Sequence, residues 1–401
     1  MTYLVEPSLV RDVPALDVDL FSDAAMENPY PALREIRDAG PLVWLSRHGL
    51  YAIGRFADLQ DALRASDVLV SGQGVWFNEM ITPDMAPASV LITDGDQHDR
   101  WKKLLMRPMM PKALEELRAR IDAEAEAIVT RHLDGREFEA MSEMAAYLPT
   151  RIVASLVGFN EVGSDAMLRW AKAVFNGLGP HTHPLAQAAV PDFLEFGAYC
   201  RSLQRSNLVP GSWADGLFEA AERGELTEDQ AREMVFDYAT PALDTTILAT
   251  GEMLYRLATE PGVLTALKGD PTLVANMVLE SVRLATPIKA FVRVAASAYR
   301  IGDHEIPAGS RVVLLYAAGN RDERHYDDPN GFDLMRNPRD HLGWGYGRHI
   351  CAGMHLARFE MEALLRQLIE CVDRIEAGSP ARLRNIGVQG YASLPLRLYP
   401  E

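Results

Sequence analysis

Along most of the chain, apolar residues recur at intervals of three and four, the period of helices that bury one face. The pattern predicts a short helix over 28–39, another over 56–65, one from Arg100, and amphipathic helices filling 114–160 and 162–207. A long helix is expected from a capping box at Thr227 and Gln230 to Thr259, before Glu260-Pro261-Gly262. At 1.5 Å per residue its roughly 32 residues span ~48 Å, enough to cross a domain. Strand-like runs are confined to 42–45 and 50–53, with Gly49 turning the chain between them. The expected fold class is therefore mainly α with small β-sheets.

Three interruptions carry more information than the pattern itself. From Ser71 to Asp96 periodicity is lost among Gly72, Gly74, Pro83, Pro87 and Gly95, with Trp76, Phe77 and Met85 between them, and irregular stretches of that length are usually functional loops. No Lys or Arg occurs between Arg64 and Arg100. A second break, Phe175 to Pro180, precedes His181-Thr182-His183-Pro184, whose two histidines lack the nearby carboxylates or thiols of a metal site. The third lies inside the long helix, Thr240 to Thr246 (TPALDTT): Pro241 has no N–H for the carbonyl of Asp237 and clashes with it, so the helix must kink or open there.

The 401 residues, 48% hydrophobic and 24% charged, suit a globular protein with a large core, and without a linker, repeat or low-complexity tract they are read as one domain, 1–401, with residues 1–27 as an irregular arm. A net charge of −16 argues against a nucleic-acid or anionic-membrane partner. The acidic, proline-broken N-terminus matches neither a signal peptide nor an anchor, and Cys200, Cys351 and Cys371 at unrelated spacings fit a reducing compartment, so a cytoplasmic monomer is expected.

One cysteine stands apart. His341 to Gly353 (HLGWGYGRHICAG) sets Cys351 in a glycine-spaced turn ahead of an amphipathic helix with Met354, Ala357, Met361, Leu364, Leu365 and Leu368 on one face. A helix N-terminus favours the thiolate, which ligates metal. Gly345 and Gly347 remove Cβ atoms that would keep a large flat group off the loop.

Trp344, Gly345, Gly347, His349, Cys351 and Gly353 resemble the haem-binding signature of the cytochrome P-450 family, F-G-x-G-x-[RH]-x-C-x-G, with Trp in place of Phe. The resemblance spans roughly residue 28 to the end and implies a single-domain fold holding haem b between the long central helix and the cysteine loop, with Cys351 on the iron. It implies that Asp244 and Thr245, which match the end of [AG]-G-x-[DE]-T, deliver protons to dioxygen. Glu280 and Arg283 (ESVR) match E-x-x-R, with Arg336 as third member of a structural charge network. His98 and Lys102 match H-x-x-x-R, and Arg293 a third propionate-binding position; a Lys at 102 keeps the charge and loses the bidentate fork. Trp76, Phe175, Leu178, Pro241, Ile288, Phe291 and Leu394, the last in a closing hairpin turn, are expected to face substrate, and Lys289 to face solvent.

The implied activity is a haem-thiolate monooxygenase using O2. Without a flavin fingerprint or cysteine cluster, it would draw NAD(P)H electrons through a separate acidic iron-sulfur ferredoxin and its reductase. Arg100, Lys102, Lys103, Arg107, Lys112, Arg348 and Arg358 would form the docking face, or simply a solvated charged surface. The segment around Phe175 to Pro180 and Phe291 is similar to bacterial members that oxidise para-substituted benzoates, so the expected substrate is a small aromatic compound, hydroxylated or O-demethylated. With no basic residue in the roof loop, either that substrate is neutral or Lys289 or His181 holds its carboxylate. Terpenoid and fatty acyl substrates stay open, as do a non-catalytic haem-thiolate sensor or carrier and a haem-free helical binding protein.

Overall fold

The computed structural model describes residues 13–78, 81, 89–159 and 162–400. Met85, Pro83 and Pro87 of the expected roof loop, and the first twelve residues of the arm, lie outside these. Helices make up most of the chain, and two sheets of more than two strands sit at its edge. The larger sheet runs Ala15–Leu16, Val43–Leu45, Leu50–Ile53, Arg311–Leu314, Phe291–Ala295, Leu69–Val70 in spatial order. Gly49 turns the Val43–Leu45 and Leu50–Ile53 hairpin with φ +63, a conformation open to Gly at little cost. The arm is less irregular than expected: Ala15–Leu16 pairs in parallel with Val43–Leu45, and Ser22 caps a turn of helix at Asp23–Glu27.

The helix expected from Thr227 to Thr259 is two helices. Glu228–Ala239 begins at the capping box, and Pro241–Thr259 follows after a break at Thr240. Pro241 falls at the first helical position, where a missing N–H costs nothing, so the chain restarts a helix rather than bending one. The second helix, ~28 Å at 1.5 Å per residue, is the centre of the fold. Leu243, Met253 and Leu254 are fully buried, and it packs on Tyr147–Val157, Ser164–Gly177, Val274–Ala285 and Met354–Cys371.

The end of the chain differs from the expected hairpin. Tyr391–Ser393 pairs with Ala381–Arg382, whereas Pro395–Pro400 joins Val372–Ala377 and Phe138–Glu139 in the second sheet. Leu394, between the two, is buried in the core with its N–H donating to Glu139 Oε1 at 2.5 Å and its carbonyl accepting from Ala140 at 2.9 Å. No helix among the described residues is long and apolar enough to cross a membrane.

Candidate active site

A cavity of about 260 Å³ lies between the start of the central helix and the cysteine loop. Cys351, Trp344, Gly345, His349 and Gly353 form its floor with Leu356, Ala357 and Met361 of the following helix. The surface that Cys351 exposes faces this cavity. Its N–H donates to the Trp344 carbonyl at 2.8 Å, closing the turn from which the sulfur projects.

The turn needs its glycines for two different reasons. Gly345 and Gly347 sit at φ +70 and +68, where a side chain is strained. At Gly347 a Cβ would also come within 2.7 Å of the Leu63 carbonyl. Its missing side chain therefore seats the loop on the helix Phe56–Arg64, a packing role added to the expected one.

Burial also outweighs the helix terminus at the sulfur. It pushes the Cys351 thiol above its ordinary value, opposed by the Gly353 N–H, the Lys102 charge and the Met354 N–H. The Gly353 and Met354 N–H groups act in the direction expected of a helix start, and a bound metal cation adds to them in deprotonating a buried thiol.

Beneath the loop lies a fully buried ion pair. Arg283 Nε and Nη2 each donate to the Glu280 carboxylate at 2.7 Å, and Arg283 also reaches the carbonyls of Asn320, Pro329 and Gly331. Arg336 Nε stands 3.2 Å from Glu280, which accepts the Asp333 N–H as well. Such a pair is worth little against an apolar isostere but costs several kcal/mol to break by removing one partner. Asn320, which sequence reasoning passed over, joins this network to the loop: its Oδ1 accepts the Leu342 N–H at 2.7 Å and its Nδ2 donates to Thr286 Oγ1 at 2.8 Å. Thr286 occupies left-handed backbone at φ +35, ahead of Pro287 and Ile288 on the cavity wall.

The cations that line the cavity gather on the floor. Arg293 is buried, donates to its neighbour's carbonyl, and has no carboxylate partner among the described residues. The buried His98 bonds Asp99 at 3.0 Å, and its ring packs 4.2 Å from His349; burial lowers both histidines, His349 to about 4. Lys102 Nζ donates to the carbonyls of Arg348 at 2.6 Å and Ile350 at 2.7 Å, so it ties the helix Gly95–Met106 to the cysteine loop.

On the opposite wall, Phe175, Leu178, Phe236, Pro241, Ile288 and Phe291 supply apolar surface. Trp76 and Leu394 do not line the cavity. The Trp76 indole N–H is bound to the Ile81 carbonyl at 2.7 Å, and Leu394 is held in the core by its backbone pairing. Lys289 is not in solvent: it is partly buried, donates to the Asn385 carbonyl at 3.3 Å, and burial lowers its pKa to about 8. Neither it nor the exposed His181 reaches the cavity. His183 instead caps the helix Pro184–Ser202, accepting the Leu185 N–H.

Thr245 and Thr246 line the cavity where the central helix begins. The Thr245 hydroxyl donates to the Pro241 carbonyl at 2.6 Å, leaving its lone pairs free. Asp244 sits beside the cavity rather than in it. Burial raises its carboxyl to about 7, opposed by the charge of Lys172 on the neighbouring helix Ser164–Gly177. A further acid was missed by sequence reasoning: Asp237 lines the cavity, accepting Ser89 Oγ at 2.6 Å and the Val90 N–H at 2.7 Å. Its spacing held the signal, since residues 237, 241 and 245 share a helical face.

A lone cysteine projecting from a glycine turn into an apolar cavity, under a broken central helix and beside the carboxylate-free Arg293, is the arrangement of a haem-thiolate protein. Comparison with known proteins agrees. The "Cytochrome P450" family model matches residues 212–371. Cytochrome p450 CYP199A2 of Rhodopseudomonas palustris is 30% identical over 393 residues, covering 97% of this chain and 95% of that one. The beta-dihydromenaquinone-9 omega-hydroxylase of Mycobacterium tuberculosis is also 30% identical, over 391 residues, covering 96% of this chain and 79% of that one. The structure of Mycobacterium marinum CYP268A2 in complex with pseudoionone superposes with a TM-score of 0.83 at 27% identity, covering 96% of this chain and 99% of that one.

The chain belongs to the cytochrome P-450 family. It is a monooxygenase of the single-domain P-450 fold that uses haem b and O2, with NAD(P)H electrons arriving through redox partners. The residues present fit that cofactor: a bare thiol on the floor, an apolar enclosure, and the buried, carboxylate-free Arg293 where an anionic edge needs a partner. When bound, haem b supplies the dioxygen chemistry, and a cysteine thiolate ligand favours cleavage of the O–O bond.

Proposed function

We propose that this monooxygenase oxidises a small, uncharged, aromatic substrate, by hydroxylation or O-demethylation, with electrons from a separate ferredoxin and its reductase. The observation that carries the substrate class is the composition of the cavity's far wall: Phe175, Leu178, Phe236, Ile288 and Phe291, with no basic side chain among the described residues there. The two residues that would have held a carboxylate, Lys289 and His181, lie elsewhere, and a carboxylate buried without a partner is costly.

In this reading Cys351 ligates the iron, and His98, Arg293, Trp344, His349 and Gly353 surround the haem. Lys102 acts by fixing the loop at Arg348 and Ile350. Asp244 holds a proton near neutral pH, and Thr245 positions it at the cavity. Glu280, Arg283 and Arg336 hold the cysteine loop in place.

Lys102 ties its helix, which also carries Arg100 and Lys103, to the loop that carries Arg348, and this contact supports docking of an acidic ferredoxin at these basic residues. The remaining basic residues of that group are less available. Arg107 pairs with Glu225, Arg348 with Asp67, and Arg358 with Glu362. We place the protein in the cytoplasm, where such donors are found.

The test is a spectral titration of the ferric holoenzyme with neutral aromatics, aromatic acids, terpenes and fatty acids, followed by turnover with NADH, ferredoxin and reductase. A Soret shift and product with neutral aromatics are expected. A response confined to terpenes or acyl chains overturns the aromatic reading, and haem binding without turnover by any donor favours a sensor or carrier. Thr245→Ala should divert electrons from product to released hydrogen peroxide; unchanged coupling removes Thr245 from proton delivery.

A further inference from the structure

Asp237 stands in the last turn of the helix Glu228–Ala239, just before the break at Thr240. Each of its oxygens accepts one donor, Oδ1 from Ser89 and Oδ2 from the Val90 N–H, so the carboxylate fastens the start of the 3-10 turn Val90–Ile92 to the central helices. A carboxylate has about four acceptor sites, so about two remain. The residue lines the cavity.

The other ionisable side chains of the lining are distributed one-sidedly. His98, Lys102, Arg293, His349 and Cys351 all stand at the floor, and Tyr238 and Tyr316 complete the set. The Tyr238 hydroxyl is occupied by the Leu105 carbonyl, and Tyr316 stands beside Arg293. Asp237 is thus the one carboxylate lining the cavity among the described residues. No Lys or Arg occurs from residue 65 to 99.

An anionic ligand placed against Asp237 would meet like charge within apolar walls, which is costly. An uncharged ligand that donates a hydrogen bond would find an acceptor already anchored by two others, and a buried polar site discriminates strongly against a ligand that leaves it unpaired. We infer that Asp237 is a specificity-determining residue, selecting an uncharged apolar ligand with one hydroxyl donor and turning away the corresponding carboxylate. The inference rests on the reading of this cavity as the substrate site.

The test uses the haem-loaded protein and three probes that differ at one position: 4-methylbenzyl alcohol, 4-methylbenzoate and p-xylene. Binding is measured by equilibrium dialysis and by the Soret shift. Wild type should bind the alcohol at least about tenfold more tightly than the carboxylate. Asp237→Asn should narrow that ratio by roughly fivefold or more while leaving p-xylene within about threefold. Equal binding of alcohol and carboxylate by wild type overturns the assignment, as does an unchanged ratio in Asp237→Asn. Equal binding by wild type overturns it even if the variant does not fold, and Asp237→Leu then replaces Asp237→Asn in the ratio test. A ratio that holds by dialysis with no Soret response supports Asp237 while counting against the oxygenase reading of the cavity.

Discussion

Beneath the cavity, Glu280, Arg283, Asn320 and Lys102 direct their hydrogen bonds to the backbone between Asn320 and Ile350, the stretch that ends at Cys351. Across the cavity the polar groups are sparsely held. Asp237 has two donors, Thr245 bonds only within its own turn, and Asp244 has no hydrogen bond among the described residues. Burial leaves Asp237 with a pKa of about 6 and Asp244 with one of about 7. The floor is built to hold one geometry. The wall keeps groups whose protonation is undecided near neutral pH, and such groups are costly to bury and useful for proton transfer.

The largest effect is expected at the floor. Cys351→Ala should abolish the red-shifted Soret band of the reduced carbon monoxide complex and bring oxygenation to background. A variant that keeps the band would remove Cys351 from the iron. Next, Glu280→Ala leaves Arg283 buried without its partner and should cost about 3–5 kcal/mol in urea unfolding, with loss of haem content. A cost below about 1 kcal/mol would show that the carbonyls around Arg283 satisfy it alone.

Asn320→Ala should follow. It strands the Leu342 N–H and takes one donor from the Thr286 hydroxyl, which still donates to the Arg283 carbonyl, for roughly 1–3 kcal/mol in all. Because Asn320 bridges the cysteine loop and the turn before Ile288, the variant should weaken substrate binding as well as haem retention. If only stability changed, the floor and the substrate wall would be independent.

How much of this was legible in the sequence follows the same division. The floor could be read because its chemistry is local: a cysteine, its glycines and an i, i+3 ion pair all lie within short motifs. The expected helices and the first hairpin were equally plain from periodicity, and the capping box at Thr227 and Gln230 formed as read. What escaped depended on tertiary packing. Gly347 serves the Leu63 carbonyl, a contact 284 residues away in the chain. The segment around Leu394 could not be known to serve two sheets, because strand pairing is set by distant partners. Lys289 is drawn inward by Asn385, and Asp237 owes its place in the cavity to Ser89 and Val90. Pro241 announced a disruption, but a proline reads alike as a kink or as a first helical residue.

The smallest predicted effect is also the one that separates the two regions most cleanly. The Asp244 carboxyl, at about 7 against an ordinary 3.8, binds its proton more tightly in the folded protein than in the unfolded chain. Its contribution to stability is therefore complete below about pH 4 and lost as the pH rises through 7. Asp244→Asn, which keeps the neutral shape, should leave stability little changed below about pH 4 and raise it progressively up to pH 8, measured as the urea midpoint. If Asp244 passes on a proton, coupled turnover of the wild type should decline as the pH rises through about 7, and the variant should be slower with that inflection gone. A substitution on the floor lowers stability and activity together, whereas this one should move them in opposite directions. An Asp244→Asn enzyme that was both more stable at pH 8 and undiminished in coupled turnover would mean that the buried carboxyl only burdens the fold, and the wall would lose its claim to proton delivery.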